Sequence, residues 1–123
     1  MKEKFCKQIL VRPHDLNHAG TLFGGTMMAW ADELAFIAAT LSYPHCTFVT
    51  KVFHEFNFIS GAKDGDIIEI EATIQNTGKT SVIVAVKANN AVTGQGIFQT
   101  TAVMVNATDG KSSSIDHETK VST

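Results

Sequence analysis

The segment LNHAGTLFGGTMMAWADELAFIAATLS, residues 16–42, holds the side chains best suited to chemistry. Asp32 and Glu33 stand side by side in a stretch that is otherwise apolar and has no Lys or Arg. A carboxylate is rare in such surroundings unless it is paired or serves as a base or nucleophile. On a helix, neighbouring residues point about 100° apart, so the two acids cannot share a face. One can face an interface or a cleft while the other meets solvent. The plainer alternative is an exposed acidic pair at a helix edge. Gly24 and Gly25 lie near the start of the same stretch. Glycines there let a ligand approach the backbone, and the free N–H groups of a helix start polarise a carbonyl or hold an anion. A packing constraint would also account for them. No GK[ST] follows, so this is not a Walker phosphate loop. Asn17 precedes the glycines and brings an amide that can donate to a developing oxyanion or orient water.

Two further groups have the right atoms but weaker patterns. His14 and His18 are four residues apart, a spacing that suits metal ligands on a helix. Pro13 and the polar loop composition argue against a helix there, and no cluster offers a third ligand, so no metal is expected. Thr50 and His54 interrupt an apolar alternation later in the chain. His54 reads as a hydrogen-bonded core histidine or as a supporting group.

The elements that must position these residues are legible from periodicity. The 123 residues suggest one domain, and a hydrophobic fraction of 44% suits a packed core. Residues 4–12 form a strand candidate with Phe5, Ile9 and Val11 on one face, ended by Pro13. A helix is expected from Leu22 to Ser42, with Pro44 beyond it. Its centre is too acidic to cross a bilayer, at a cost of roughly 2.5–3.5 kcal/mol per acid. From residue 47 the period changes to two. Residues 47–59 would place Phe48, Thr50, Val52, His54, Phe56 and Phe58 on one face. Residues 67–76 would turn Ile68, Ile70, Ala72 and Ile74 inward. Thr77-Gly78-Lys79 reads as a tight hairpin, followed by strands over 80–88 and 96–106. From Ala107 the composition is polar and Ser-rich, which suggests a domain over 1–106 and a frayed tail over 107–123. One helix with an antiparallel sheet is an α+β arrangement. A helix apolar all round needs a sheet curled about it, or a second subunit.

Net charge of -2 without a basic run makes nucleic acid an unexpected partner. The two cysteines, Cys6 and Cys46, form no CxxC, and MKEKFCKQILVR has no apolar h-region. A cytoplasmic location with reduced thiols is the expectation.

The segment NHAGTLFGGTMMAWADELAFIAA resembles the hotdog-fold acyl-CoA thioesterases, in particular the acyl-CoA hydrolase branch. The matching positions are Asn17, Gly20, Phe23-Gly24-Gly25 and Asp32. The resemblance continues through FVTKVFHEFNFISGAKDGDIIEIEATI and NTGKTSVIVAVKA. It departs at Gly61, where the family usually has Pro, and at Asn57, where it often has Asp. It implies a long central helix wrapped by a curved five-stranded antiparallel sheet, with dimers that extend the sheet and often build hexamers. It also implies hydrolysis of acyl-CoA to free acid and CoA, with no cofactor beyond the CoA of substrate and product.

On that reading Asp32 is the general base or nucleophile. Gly25 N–H, or Gly24 N–H, and Asn17 polarise the thioester carbonyl. Thr50 joins the substrate-binding groups. Gly78, Lys79, Thr80 and Ser81 offer N–H groups, hydroxyls and a cation for CoA phosphates. Asp32 lies seven residues after Gly25, about 10 Å along a helix. A reacting carbon must lie roughly 3 Å from nucleophile and oxyanion donor alike. The spacing therefore points to a site shared between two antiparallel helices of a dimer. A non-catalytic acyl-CoA binder is the alternative from another class. A hotdog dehydratase, with His18 or His54 beside the carboxylate, is the alternative reaction.

Overall fold

A computed structural model describes residues 3–115. Strand β1 (Lys4–Leu10) leads through a single 3-10 turn (Pro13–Asp15) to helix α1 (Gly24–Ser42). Strands β2 (Phe48–Phe58), β3 (Ile67–Thr77), β4 (Ser81–Asn90), β5 (Gly96–Thr108) and the short β6 (Lys111–Ser112) follow. The sheet order is β1-β3-β4-β5-β2, with every pairing antiparallel and β6 added to β5. This is the expected α+β architecture, one helix laid against one antiparallel sheet. None of the described helices is long and apolar enough to cross a membrane.

The alternating strands form as their side chains dictate. Ile68, Ile70, Ala72 and Ile74 on β3 are buried, as are Val82, Val84, Val86 and Ala88 on β4. The helix meets them with Met27, Ala31, Leu34, Ala35, Ala38, Ala39 and Ser42. Those positions recur every three to four residues and make one stripe. Its small alanines let the helix axis lie close to the sheet. The helix begins at Gly24 rather than Leu22, with Phe23 as its N-cap.

Strand β2 departs from simple alternation. Its pairing with β5 slips between Thr50 and Val52, and again between His54 and Asn57. Each bulge adds a residue and reverses the faces beyond it. Phe48, Thr50, Phe53 and Phe56 therefore turn toward the helix. Val52 pairs with Val103 and His54 with Thr101, in the outward rows of the sheet. The expected shared face of Phe48, Thr50, Val52 and His54 is thus incorrect. Glu55 sits at the second bulge with a φ of 47°, the left-handed conformation that the extra residue requires. β2 is an edge strand, and bulges are common on edges.

The segment after residue 106 is also more ordered than its composition implies. β5 runs on to Thr108, β6 folds back on it, and Ile115 is buried against the core. One apolar residue and a few backbone bonds anchor a stretch whose polar sequence hides them. The rest of the expected tail, 116–123, lies outside the described residues.

Candidate active site

The loop before the helix is built around two side chains. Asp15 is buried; its Oδ2 accepts the Arg12 N–H at 2.9 Å, and its backbone oxygen accepts the Phe23 N–H at 2.9 Å. Asp15 thus ties the end of the β1 connection to the N-cap of the helix. Its role was not singled out from sequence, because Arg12 lacks the acceptor of a true capping box and only the Asp15 half of that pattern is made. Asn17 organises the tip. Its Oδ1 accepts the N–H groups of Ala19 at 2.9 Å and Thr21 at 3.2 Å, and its own N–H donates to Thr21 oxygen at 2.7 Å. Two backbone donors aimed at one atom require that atom to be the carbonyl oxygen. The amide nitrogen is thereby left as a donor.

The helix start has no side-chain cap. The N–H groups of Thr26 and Met27 reach the Phe23 oxygen, but no acceptor within the described residues meets those of Gly24 and Gly25. The glycines also answer a packing need. A Cβ on Gly24 would stand 3.3 Å from the Phe58 ring, and one on Gly25 only 2.6 Å from the Phe23 ring. The packing reading of the pair therefore applies at both glycines.

Asp32 and Glu33 face different ways. Glu33 is exposed and takes an ion pair from Lys7 at 2.7 Å, over the β1 side of the sheet. Asp32 is half-buried, and its Oδ1 accepts the hydroxyl of Thr50. The Thr50 oxygen also lies 3.5 Å from the sulfur of Met104. Thr50, expected among substrate-binding groups, has its hydroxyl engaged in holding Asp32. Seven residues turn a helix through nearly two full turns, so Gly25 and Asp32 share a face. Met28 and Phe36 flank Asp32 by one turn each on that face and are 39% and 44% exposed. Phe23 and Phe58 beside the glycines are 54% and 51% exposed. The carboxylate thus sits within an uncovered apolar stripe beside the free edge of β2. An uncovered patch of that kind marks an interaction face.

The hairpin residues lie elsewhere. Ser81 pairs with Val105, which pairs with Val49, so the hairpin end of β4 is level with Thr50 but two strands away. Thr80 and Ser81 line an open cavity of about 360 Å³ on the outer face, with Val49, Lys51 and Ser112. Lys79 is exposed, and the Gly78 N–H donates to Ser81 oxygen at 2.8 Å. Within one chain the sheet separates this group from Asp32. His54 lines another outer cavity, about 330 Å³, with Glu55, Asn57 and Lys87. It is on the far side of the sheet from Asp32, and His18 is exposed on the Asn17 loop. Neither stands beside the carboxylate. His14 is exposed and meets Asp15 at 3.4 Å. Among the described residues no three His, Cys, Asp or Glu gather as metal ligands would.

This geometry can be set beside known proteins. The family described as "Thioesterase superfamily" matches residues 19–97. The chain belongs to the thioesterase superfamily. Its mouse relative, acyl-coenzyme A thioesterase 11, is 38% identical over 78 residues, which is 63% of this chain and 13% of that protein. The chain thus spans about an eighth of that relative's length. An acyl-CoA hydrolase from Staphylococcus aureus, solved with butyryl coenzyme A and coenzyme A, has 31% identity and a TM-score of 0.79. The match covers 91% of this chain and 68% of the other. A hexameric acyl-CoA thioesterase solved without ligand has 32% identity and a TM-score of 0.80, covering 97% of this chain and 77% of its own. Solved variants of the Staphylococcus aureus enzyme carry alanine in place of an asparagine, an aspartate and a threonine. The first two are as far apart as Asn17 and Asp32 are here. The threonine lies one residue nearer its aspartate than Thr50 lies to Asp32. The superfamily's hotdog fold is the one helix and one antiparallel sheet described above.

Proposed function

We propose that this thioesterase-superfamily chain hydrolyses acyl-CoA thioesters to a free acid and CoA, at a site shared by two subunits. The observation that carries the reading is Asp32: a carboxylate held by the Thr50 hydroxyl, within an uncovered apolar stripe, on the helix face that also bears Gly25. The Asn17, Asp32 and Thr50 spacings, close to those of the residues replaced in the Staphylococcus aureus enzyme, support it.

The chemistry follows from the groups. The N–H of Gly25, with Gly24 and the amide of Asn17, receives the thioester oxygen as it gains charge. Asp32 acts on the acyl carbon, either by taking a proton from an attacking water or by direct attack. A carbon–oxygen bond forms and the carbon–sulfur bond breaks. The CoA sulfur leaves and takes up a proton. In the direct version, water then hydrolyses the resulting anhydride. Labelled water would separate the two, because single-turnover label enters the Asp32 carboxylate only after direct attack.

Asp32 and Gly25 lie too far apart along one helix to act on a single carbon, so the partner subunit supplies one of them. Antiparallel packing of the two apolar stripes would cover Met28 and Phe36 as well. Assembly of such dimers into hexamers follows the hexameric relative. The nucleotide of CoA is assigned to Gly78–Ser81, whose Lys79 supplies an exposed cation. A cytoplasmic location suits this substrate. Release of free thiol from acyl-CoA, followed with a thiol reagent across a series of chain lengths, tests the reading. A protein that binds acyl-CoA and releases no thiol would be a binding module instead.

A further inference from the structure

The C-terminal segment is joined to the hairpin of Gly78–Ser81 through one buried polar side chain. Asn106 ends the inward row of β5 that also holds Ala102 and Met104, and it is 6% exposed. Its Oδ1 accepts the N–H of Thr47 at 2.9 Å, just before β2. Its Nδ2 lies 3.4 Å from the oxygen of Ser113 and 3.2 Å from that of Ser114. Its backbone N–H donates to Thr80 oxygen at 2.9 Å, and its backbone oxygen accepts the Ser113 N–H at 2.8 Å. The Ile115 N–H then donates to Lys79 oxygen at 2.8 Å, with the Ile115 side chain buried. The carbonyls of both Lys79 and Thr80 are thus held from the C-terminal side. Removing the amide would loosen residues 113–115, and with them the bond that fixes the backbone of Lys79.

We propose that Asn106 is a positioning residue for CoA binding: it clasps residues 113–115 against the hairpin and so fixes Lys79 and Thr80 where they meet the phosphates. The inference rests on the reading of Gly78–Ser81 as the CoA phosphate site. The outer cavity lined by Thr80, Ser81 and Lys51 is bordered by Ala107, Gly110 and Ser112 of the same segment, whereas Asn106 and residues 113–115 do not line it, so the clasp shapes the site from behind its lining. A bond to a backbone held this way is uniform binding, remote from the thioester, and its loss belongs in KM rather than kcat.

The test compares acyl-CoA with the matching acyl-pantetheine thioester, which lacks the nucleotide. Asn106→Asp keeps the acceptor for Thr47 and removes the donor to Ser113 and Ser114. Ile115→Ala loosens the same segment without touching Asn106. Each should raise KM for acyl-CoA by about three- to tenfold, the worth of one or two hydrogen bonds. Turnover should stay within about twofold, and the acyl-pantetheine thioester should be indifferent. Lys79→Ala separates the outcomes. In its background Asn106→Asp should add less than it does alone, because the Lys79 cation it helps to place is gone. If Lys79→Ala favours the short substrate but neither clasp variant does, the clasp is wrong and the phosphate site stands. If Lys79→Ala treats both substrates alike, the hairpin is not the phosphate site and the inference falls with it. Equal losses on both substrates in the clasp variants would show a merely structural role, and this too overturns the proposal. Should Asn106→Asp fail to fold, Ile115→Ala carries the same comparison.

Discussion

Asn17→Ala and Asp32→Ala, each close to inactive alone, should restore activity when combined in mixed dimers. Gly25 and Asp32 share a face but lie about 10 Å apart along the axis. A carbon about 3 Å from each group needs them within about 6 Å of one another. A complete site therefore takes Asn17 and the helix start from one subunit and Asp32 from the other. Equal amounts of the two variants, unfolded and refolded together, give mixed dimers for about half the population by random pairing. In a mixed dimer one site pairs wild-type Asn17 with wild-type Asp32, and the other site carries both lesions. One site in two works in half the dimers, so activity should return to about a quarter of wild type. Each variant alone should sit about a hundredfold below wild type, on the scale of losing a general base or an oxyanion donor. The recovered signal is then far above background. Thiol release gives the activity, and subunits tagged with different masses give the fraction of mixed dimers. No recovery in a sample shown to contain mixed dimers would refute the shared site.

Within the carboxylate pair, Asp32→Ala should lower turnover at least about a hundredfold, whereas Glu33→Gln, which loses only an exposed ion pair with Lys7, should stay within about threefold. Equal losses at both positions in steady-state kinetics would identify the wrong acid. Thr50→Val removes the donor to Asp32 at nearly constant volume and should lower kcat about tenfold, with KM within about twofold. A change confined to KM would return Thr50 to a substrate-binding role. Asp15→Ala leaves the Arg12 N–H without its acceptor and should cost about 1 kcal/mol, a fall of about 3–6 °C in Tm by thermal unfolding. An unchanged Tm would show that Pro13 alone sets the loop.

The sequence by itself determined the order of elements, the inward faces of β3 and β4, and the residue types suited to thioester chemistry. Those depend on local periodicity and on chemistry written in single residues, so Ile68, Ile70, Ala72 and Ile74 needed no partner to be recognised. The spacing of Gly25 and Asp32 could be converted to a distance because a helix has a fixed rise. Tertiary structure decided the rest. The bulges in β2 come from its pairing with β5, and they sent His54 outward while leaving Thr50 on Asp32. Two residues with the same parity in sequence thus ended on opposite sides of the sheet. Residues 107–115 looked frayed because their order rests on one buried amide, one isoleucine and backbone bonds to distant residues. Contacts of that kind join parts of the chain far apart in sequence and leave no periodic trace within either part.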